Sequence, residues 1–310
     1  MADAIAILMG PFLILICIAL MLFGVTCAQV YAYWTTYDHD PRSIKLLVAI
    51  LWTLECAHAA LCLHMLYGYF IEDIGDAAAL GKIIWSAGAT IFIEIPIIAL
   101  AQGFSVSRIW QLSGGNVTAT AIPAVVLFFR VGAGFGTACF LYIYHNWIEF
   151  HTYLGPSLTV NLGLTLGAIE DALVTFTLTY YLRRNKSSFK RTNRMIQKLL
   201  FYTVNTGAIT MVFSISTIFV FNFYKTSLLF GGMVEVICKL YANSTLALLN
   251  ARQRIKEQTA SGGAAGFNSI PLELRNASDS PGSSYGTEGS KADAGAKVEI
   301  FDPVPYRIGI

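Results

Sequence analysis

The chain has 310 residues, of which 55% are hydrophobic and only 13% are charged, and its mean hydropathy is +0.58. About a quarter of the residues in a soluble domain are charged, so this composition excludes an ordinary soluble protein and indicates one that lies in a lipid bilayer. The net charge is only +2, and no basic patch has interleaved aromatic residues, so no nucleic-acid partner is expected.

Seven apolar runs are long enough to cross a bilayer, which takes about 20 helical residues. The sequence therefore predicts an all-α membrane protein with a bundle of seven transmembrane helices over residues 1–256. The helices are predicted near Gly10–Tyr31, Ile44–Tyr67, Ser86–Trp110, Thr118–Tyr144, Ser157–Leu182, Ile196–Phe221 and Ser227–Leu249.

The lysine and arginine residues between these helices predict the orientation, because cytosolic loops are enriched in both. Thirteen lie on the side of the first, third and fifth loops and the start of the tail, whereas only Lys82 and Lys225 lie on the other side. The amino terminus is therefore predicted outside and the carboxyl terminus in the cytosol. We expect this multi-pass protein in the plasma membrane.

The polar segments outside the helices offer two candidate contact regions. The fifth loop suits either an anchor to anionic lipid or a docking surface for a cytosolic partner, and its basic residues are Arg183, Arg184, Lys186, Lys190, Arg191 and Arg194. Residues 257–310 are rich in Gly, Ser and Ala, so we expect a disordered cytosolic tail that could contact the same partner. The fourth loop, HNWIEFHTYLGP, is aromatic and suits an interfacial belt or a lid over an outward-facing cavity.

The second predicted helix carries ionisable residues in the segment LECAHAALCLH. Such residues are costly at membrane depth unless they are paired or face a wet interior. His58 lies about 60° from Glu55 around the helix, and we expect a hydrogen bond between them. His64 points about 180° away from Glu55, so this helix alone cannot supply three metal ligands, and neither a metal nor another cofactor is predicted.

Three further helices add ionisable residues at membrane depth. Glu94 lies in the third helix, Arg130 in the fourth, and the adjacent acids Glu170 and Asp171 in the fifth. The adjacent acids point about 100° apart, so they cannot face the same neighbour. Since acids outnumber bases inside the helices, some must be protonated, hydrated or bound to a cation, which predicts a wet polar core.

The seventh helix carries a polar stripe within GGMVEVICKLYANSTLALLNAR. With Glu235 at zero, Lys239, Asn243 and Asn250 lie at about 40°, 80° and 60°, so all four share a face that must point into the bundle. Glu235 precedes Lys239 by one turn, the favourable order for an ion pair within one helix. The expected partners of the stripe on other helices are Asp171, Glu55 and His58.

Four segments carry a resemblance to a known family: LECAHAALCLHMLY, AQGFSVSRIWQLS, LTYYLRRNKSSFKRTNRMIQKLLFYTVNTGAIT and KLYANSTLALLNAR. The chain resembles a large fungal, chiefly basidiomycete, family of seven-helix proteins catalogued as a domain of unknown function. The resemblance covers roughly residues 10–256 and is strongest over 165–256. Because that family has no established activity, the resemblance implies kinship and no particular function.

Several functions are compatible with this pattern. A receptor-like or signalling protein with a small-molecule ligand is favoured by the seven helices, the basic fifth loop and the Ser-rich tail, although the D/E-R-Y and N-P-x-x-Y motifs of rhodopsin-class receptors are missing. A proton- or cation-handling transporter or channel would use the surplus acids, and a retinal-binding protein would use Lys239. No catalytic motif occurs, so no enzyme is predicted, and a polar core that only packs the helices is the last alternative.

Overall fold

The structure is a computed structural model that describes residues 2–72, 76, 79–184, 190–225 and 228–261. Side chains are described over residues 9–72, 76, 79–184, 203–225 and 228–251. Residues 1–259 form one compact unit, and a second unit, 260–310, lies almost entirely outside the described residues. Most of the predicted disordered tail falls in that second unit.

The described residues form eight α-helices and no strand, apart from an isolated bridge between Lys82 and Asn146. The helices are α1 (Ala2–Thr36), α2 (Arg42–Tyr67), α3 (Trp85–Leu112), α4 (Val117–Ile143), α5 (Trp147–Thr152), α6 (Leu154–Arg184), α7 (Lys190–Phe223) and α8 (Leu229–Ser261). A π-helical turn, Gly68–Glu72, continues α2, and a short 3-10 turn, Ala79–Gly81, precedes α3. Every helix except the six-residue α5 is long and apolar enough to span a bilayer, which confirms the predicted all-α seven-helix membrane bundle.

Three helices are longer than their apolar runs. α1 begins at Ala2, α7 begins at Lys190 and α8 continues through Ser261. The apolar runs predicted from the sequence are shorter and cover Gly10–Tyr31, Ile196–Phe221 and Ser227–Leu249. Hydropathy marks where lipid contact ends, whereas the backbone hydrogen bonds of a helix continue through residues such as Lys, Arg and Gln, which are good helix formers.

Large apolar side chains cover the outward faces of the helices. Clear examples, all more than half exposed, are Ile14, Met21, Phe128, Phe176, Val212 and Phe219. An exposed apolar surface of this extent would be unfavourable in water and is suited to lipid tails. The protein is therefore an integral membrane protein in contact with a bilayer.

Successive spanning helices run in opposite directions. The helices α1, α3, α6 and α8 begin at one end of the bundle, which also carries α5, and we call this the amino-terminal end. The loops at 37–41 and 113–116, the end of α6 and the start of α7 lie at the opposite end. Which end faces the cytosol stays a prediction from the lysine and arginine residues.

The helix α8 lies at the centre of the bundle. In its spanning window 72% of the residues are buried, against 22% in α1 and in α4, although α8 is the least apolar of the seven spanning helices. It packs on α1 and α2 through Leu246 and Leu249 and on α3 through Ile237. Polar side chains of a helix surrounded by protein can find protein partners, which lipid cannot offer.

A glycine permits close contact between α1 and α8. A Cβ atom added at Gly232 would lie 2.7 Å from the Cβ of Leu15. Small residues at such positions allow two helix backbones to approach, as is common between membrane helices. α1 is thereby held against the central helix near the amino-terminal end.

Candidate functional site

The polar core contains three buried ion-pair contacts among the described residues, and each joins two different helices. Two join α2 to α8, and the third joins α4 to α6. All six side chains are at least nine-tenths buried. Cross-helix pairing satisfies charged groups that lipid could not solvate.

Lys239 pairs with α2 and not with its own helix. Its Nζ lies 2.7 Å from Oε2 of Glu55, and both side chains are fully buried. The ammonium group also lies 5.4 Å from the centre of the Phe23 ring, a cation–π contact. The expected ion pair between Glu235 and Lys239 is therefore corrected: α2 presents partners with a matching spacing, so that Glu235 and Lys239 each contact a different residue.

Glu235 contacts two side chains of α2. Its Oε2 lies 3.0 Å from Nε2 of His58 and 3.2 Å from Sγ of Cys62. The Cys62 Sγ also lies 3.6 Å from Nδ1 of His58. Among the described contacts none joins Glu55 to His58, so the expected hydrogen bond within α2 is replaced by two contacts to α8. These three residues, His58, Cys62 and Glu235, are called the His-Cys-Glu cluster below.

Arg130 is held between α6 and α8. Its Nη1 donates a hydrogen bond of 2.9 Å to Oε2 of Glu170, and its Cζ lies 4.7 Å from the centre of the Tyr241 ring. Gly167 provides the space for this side chain, since a Cβ there would lie 3.0 Å from Cζ of Arg130. The guanidinium is thus paired within the bundle, with a second contact to an aromatic face.

Asp171 forms a separate contact group with neutral donors. Nε2 of Gln102 donates to Oδ1 at 2.7 Å, and the Tyr241 hydroxyl donates to Oδ2 at 2.8 Å. This group joins α3, α6 and α8 on a face of α8 away from the polar stripe. Of the three partners expected for the stripe, Glu55 and His58 contact it and Asp171 does not.

The two asparagines of the stripe bind α1. Nδ2 of Asn243 donates to the Leu22 carbonyl at 3.0 Å, and Nδ2 of Asn250 donates to the Gln29 carbonyl at 2.8 Å. Both the donors and the acceptors are seven residues apart, about two helical turns, which fits two parallel helices packed side by side. The asparagines therefore link α1 to α8 and lie apart from the charged groups.

Glu94 is the one buried acid in the described spanning helices for which the structure gives neither a hydrogen bond nor an ion pair. Its side chain is 6% exposed and lines a cavity of about 130 Å³. Arg130 and Glu235 reach the wall of the same cavity. The remaining wall is mostly apolar and includes Phe12, Ile91, Ile95, Ile98, Leu141, Val160, Leu164, Val234 and Ile237. Because one water needs about 10–15 Å³ of such space, the cavity has room for several waters or for part of a small molecule.

An aromatic group lines the amino-terminal end of this cavity. Trp147 and Phe150 of α5 and Phe230 of α8 line it, and the Trp147 Nε1 donates to the Tyr69 hydroxyl at 2.9 Å. We call Trp147, Phe150 and Phe230 the aromatic cap. The fourth loop, expected as an interfacial belt or a lid, thus carries side chains that face the cavity.

His151 lies beside the aromatic cap. Its ring centre is 4.6 Å from that of Phe221 and 4.9 Å from that of Phe230. Neither ring nitrogen has a hydrogen-bond partner among the described residues. Burial, assisted by the positive charge of Lys225, lowers the pKa of His151 to about 4, so the imidazole is neutral at physiological pH.

A second, smaller cavity of about 40 Å³ lies closer to the opposite end. Asp171, Gln102 and Tyr241 line it together with hydroxyl residues such as Thr175 and Thr210. Arg130 lines the first cavity and contacts the ring of Tyr241, which lines the second. The Arg130–Tyr241 contact therefore lies between the two cavities.

The predicted cytosolic basic surface is described only in part. Arg183 and Arg184 are exposed at the end of α6, and Nη1 of Arg184 lies 3.4 Å from the Tyr180 hydroxyl. Lys186 lies outside the described residues. The side chains of Lys190, Arg191 and Arg194, in the first turns of α7, lie outside the described side chains.

Three side chains of the polar core were not among the site residues predicted from the sequence. Cys62, Gln102 and Tyr241 are uncharged, and a search for charges at membrane depth passes over them. One of them had a usable signal: Cys62 follows His58 by four residues and so shares its helix face. Gln102 and Tyr241 could be assigned only with knowledge of how α3, α6 and α8 pack.

A comparison with protein families matches residues 167–254 to a family of unknown function (DUF6534). The match covers less than a third of the chain and runs from the second half of α6 through most of α8. It includes Gly167, Glu170, Asp171, Glu235 and Lys239. No curated protein and no solved structure matches the chain. The chain is therefore a multi-pass membrane protein with a region that is similar to a family of unknown function.

Proposed function

We propose that this protein is a receptor-like seven-helix membrane protein that binds a small, mainly apolar ligand in the cavity beside Glu94. The observation that carries this proposal is the cavity itself, which has apolar walls, a few ionisable residues and an aromatic cap at one end. Ligand sites are typically concave and mostly apolar, with a small number of polar groups that fix orientation. The proposed role is binding and not catalysis.

The polar groups on the cavity wall indicate the chemistry of the ligand. Arg130 has Glu170 as its partner, and Glu235 contacts His58 and Cys62. Glu94 alone has no partner among the described residues, and a buried carboxyl group needs one. The proposed ligand therefore has an apolar body and an amine or hydroxyl group that donates a hydrogen bond to Glu94.

The predicted orientation supports a signalling role. With the amino terminus outside, the aromatic cap faces the extracellular side, as suits a receptor of the plasma membrane. Arg183 and Arg184, exposed at the opposite end, would then face the cytosol and a partner there. The proposed relationship to fungal seven-helix proteins over residues 10–256 is supported by the family match at 167–254, which overlaps the segment of strongest resemblance.

Thermal-shift measurements on the purified full chain in detergent test this proposal, with small apolar amines and alcohols as probes. We expect some probes to raise the melting temperature of the wild type. Val234→Trp, which places a large ring in the cavity, abolishes the shift. Glu94→Gln weakens binding by about tenfold or more, because hydrogen bonds to charged groups contribute about 1.5–3 kcal/mol.

Phe176→Trp, on the outward face of α6 where the side chain is 74% exposed, is the matched control and keeps the shift. Probes that stabilise the wild type and Val234→Trp equally would contradict the proposal, because they would bind outside the cavity. A complete lack of stabilising amines and alcohols would also count against it.

A transporter or channel for protons or cations is the second candidate. It is favoured by the two cavities on either side of the Arg130–Tyr241 contact, an arrangement that a passage across the bundle would require. Flux measurements in liposomes distinguish it from a receptor. Transport predicts a proton or cation flux that Asp171→Asn or Glu235→Gln removes, whereas a receptor shows no flux in either form.

Retinal binding through Lys239 has less support. Lys239 lines neither of the two cavities described above, and its Nζ is bonded to Glu55 at 2.7 Å. Retinal could bind Lys239 only if that contact broke and the surrounding side chains moved to make room for it. Purified protein mixed with all-trans retinal is therefore expected to show no new visible absorbance.

A further inference from the structure

The His-Cys-Glu cluster brings together three side chains of types that bind transition metals. A ring nitrogen of His58, Sγ of Cys62 and a carboxylate oxygen of Glu235 all lie within 4.8 Å of one another. His58 and Cys62 are fully buried, and Glu235 is 3% exposed. His58 and Cys62 are four residues apart on α2, the spacing that puts two ligands on one helix face.

The geometry points to a Zn²⁺ site formed by His58, Cys62 and Glu235, and we propose that this protein binds one zinc ion there. A mixed nitrogen, sulfur and oxygen set suits Zn²⁺, whereas Mg²⁺ and Ca²⁺ prefer sites built from oxygen ligands alone. The ion would join α2 to α8 at the wall of the first cavity, which Glu235 lines. This inference is independent of the proposed ligand.

Two of the distances between the candidate ligand atoms are close to those in a tetrahedral zinc site. Zinc bonds of about 2.0 Å to nitrogen or oxygen and 2.3 Å to sulfur give ligand–ligand distances of about 3.3 and 3.5 Å. The observed distances are 3.0 Å from Nε2 to Oε2 and 3.2 Å from Sγ to Oε2. Shifts of a few tenths of an ångström by the side chains would accommodate the ion.

The orientation of His58 is a second, independent observation. Its Nε2 is 3.0 Å from Oε2 of Glu235 and yet has no hydrogen-bond partner among the described residues, because the ring nitrogen is not directed at that oxygen. A buried ring nitrogen without a hydrogen-bond partner has a lone pair available for a metal ion. A zinc ion at this position would satisfy it.

Charge balance also favours a divalent ion. The Cys62 thiol loses its proton to the solvent when it binds zinc, so the thiolate and the Glu235 carboxylate together carry two negative charges. These neutralise Zn²⁺, while the nearby Lys239 is neutralised by Glu55. The cluster with its ion would thus bury no net charge, which is the condition for low cost at membrane depth.

Three protein ligands leave one position of a tetrahedral zinc ion open. The cavity adjoins Glu235, so a water molecule or a donor atom of a cavity ligand would occupy that position. Structural zinc sites have four protein ligands, whereas sites with three protein ligands keep one exchangeable position. The site is therefore open to occupation from the cavity side.

The test uses the purified full chain, with the metal alone as the probe. Zn²⁺ is titrated in competition with a chromophoric chelator, and Co²⁺ is added separately to record the absorption of a thiolate–cobalt bond. We expect about one zinc per chain and a thiolate–cobalt band in the wild type. Cys62→Ser loses the band and weakens zinc binding by about tenfold or more. Removal of a residue that only supports a metal ligand already costs about 10–100-fold in affinity, so loss of a ligand itself should cost at least as much.

Cys56→Ser, on the same helix but outside the cluster, is the matched control and keeps both signals. Glu235→Gln keeps the thiolate band but binds zinc more weakly. Wild-type protein that takes up no stoichiometric zinc and gives no thiolate–cobalt band overturns the proposal without any variant. Zinc that binds wild type and Cys62→Ser with equal affinity overturns it as well.

Discussion

Nζ of Lys239 and Oε2 of Glu55 are 2.7 Å apart, and both side chains are fully buried. Neither lipid nor bulk water can solvate them, so each charge depends on the other. This contact links the central helix α8 to α2 near the level of the His-Cys-Glu cluster.

Lys239→Met should lower stability more than removal of both charges. The single substitution leaves Glu55 buried and unpaired, at a cost of about 3–5 kcal/mol, whereas replacement of both partners by apolar residues is often nearly neutral. Thermal unfolding in detergent should therefore rank the Lys239→Met/Glu55→Leu double variant above Lys239→Met. Lys225→Met, which removes an exposed lysine, is the control and should unfold like the wild type.

Equal stability of Lys239→Met and the double variant would show that an unpaired Glu55 costs nothing, which would contradict the prediction. A double variant that is less stable than either single variant would also contradict the prediction.

Gly167→Ala should weaken the bundle, whereas Gly163→Ala should not. A Cβ at Gly167 lies 3.0 Å from Cζ of Arg130, but a Cβ at Gly163 lies 3.7 Å from the Cβ of Ala133, which is an ordinary contact. Overpacking of this kind costs about 1–3 kcal/mol, while alanine in a helix is favoured over glycine by up to about 1 kcal/mol. Melting temperatures of the two variants, one helical turn apart on α6, should move in opposite directions or differ by several degrees. The idea fails if both glycines tolerate alanine equally.

His151 should make stability depend on pH. Its pKa is lowered to about 4 in the folded protein, while an unfolded histidine titrates near 6.5. The unfolded state therefore binds a proton first as the pH falls, and the stabilisation present above pH 6.5 is lost progressively between pH 6.5 and 4. The melting temperature of the wild type should fall across this range more than that of His151→Phe, which keeps an aromatic ring among Phe221 and Phe230.

The comparison isolates His151, because every other ionisable residue is present in both proteins. Parallel melting curves for wild type and His151→Phe between pH 6.5 and 4 would exclude His151 as the source.

Asn116 should stay free of N-linked glycan. It begins an N-x-T sequon and caps α4, where its Oδ1 accepts a hydrogen bond of 3.1 Å from the amide of Ala119. Its side chain is exposed, so burial does not protect it, and only a cytosolic location of this loop prevents modification. Expression in a eukaryotic cell and glycosidase digestion checks this, with a sequon appended before Met1 as a positive control. Glycan on Asn116 would reverse the predicted topology.

The seven helices were predictable because lipid contact requires long apolar runs, and this requirement acts locally along the chain. The same requirement explains why the stripe of α8 was assigned to the bundle interior. The helix ends at Ala2, Lys190 and Ser261 were not predictable from hydropathy, since a helix continues beyond the apolar segment.

The partners within the polar core depended on packing that the sequence does not specify. The one-turn spacing of Glu235 and Lys239 fits an ion pair within α8, but it equally fits two neighbours on an adjacent antiparallel helix. Only the register of α2 against α8 decides between them. Asn243 illustrates the same point, because its acceptor is a backbone carbonyl of α1 that carries no signal in the sequence.

The central place of α8 bears on how the protein is made. Of the seven spanning helices in the described residues, α8 is the last to leave the ribosome and the least apolar. Its asparagines hydrogen-bond to α1, the earliest of the seven. We therefore expect the earlier helices to enter the membrane before side chains such as Glu55 and His58 have their partners. These partners become available only when α8 inserts. The centre of the bundle would then form last, when α8 packs between the helices made before it. Chains truncated before α8 should therefore be recognised and degraded by membrane quality control.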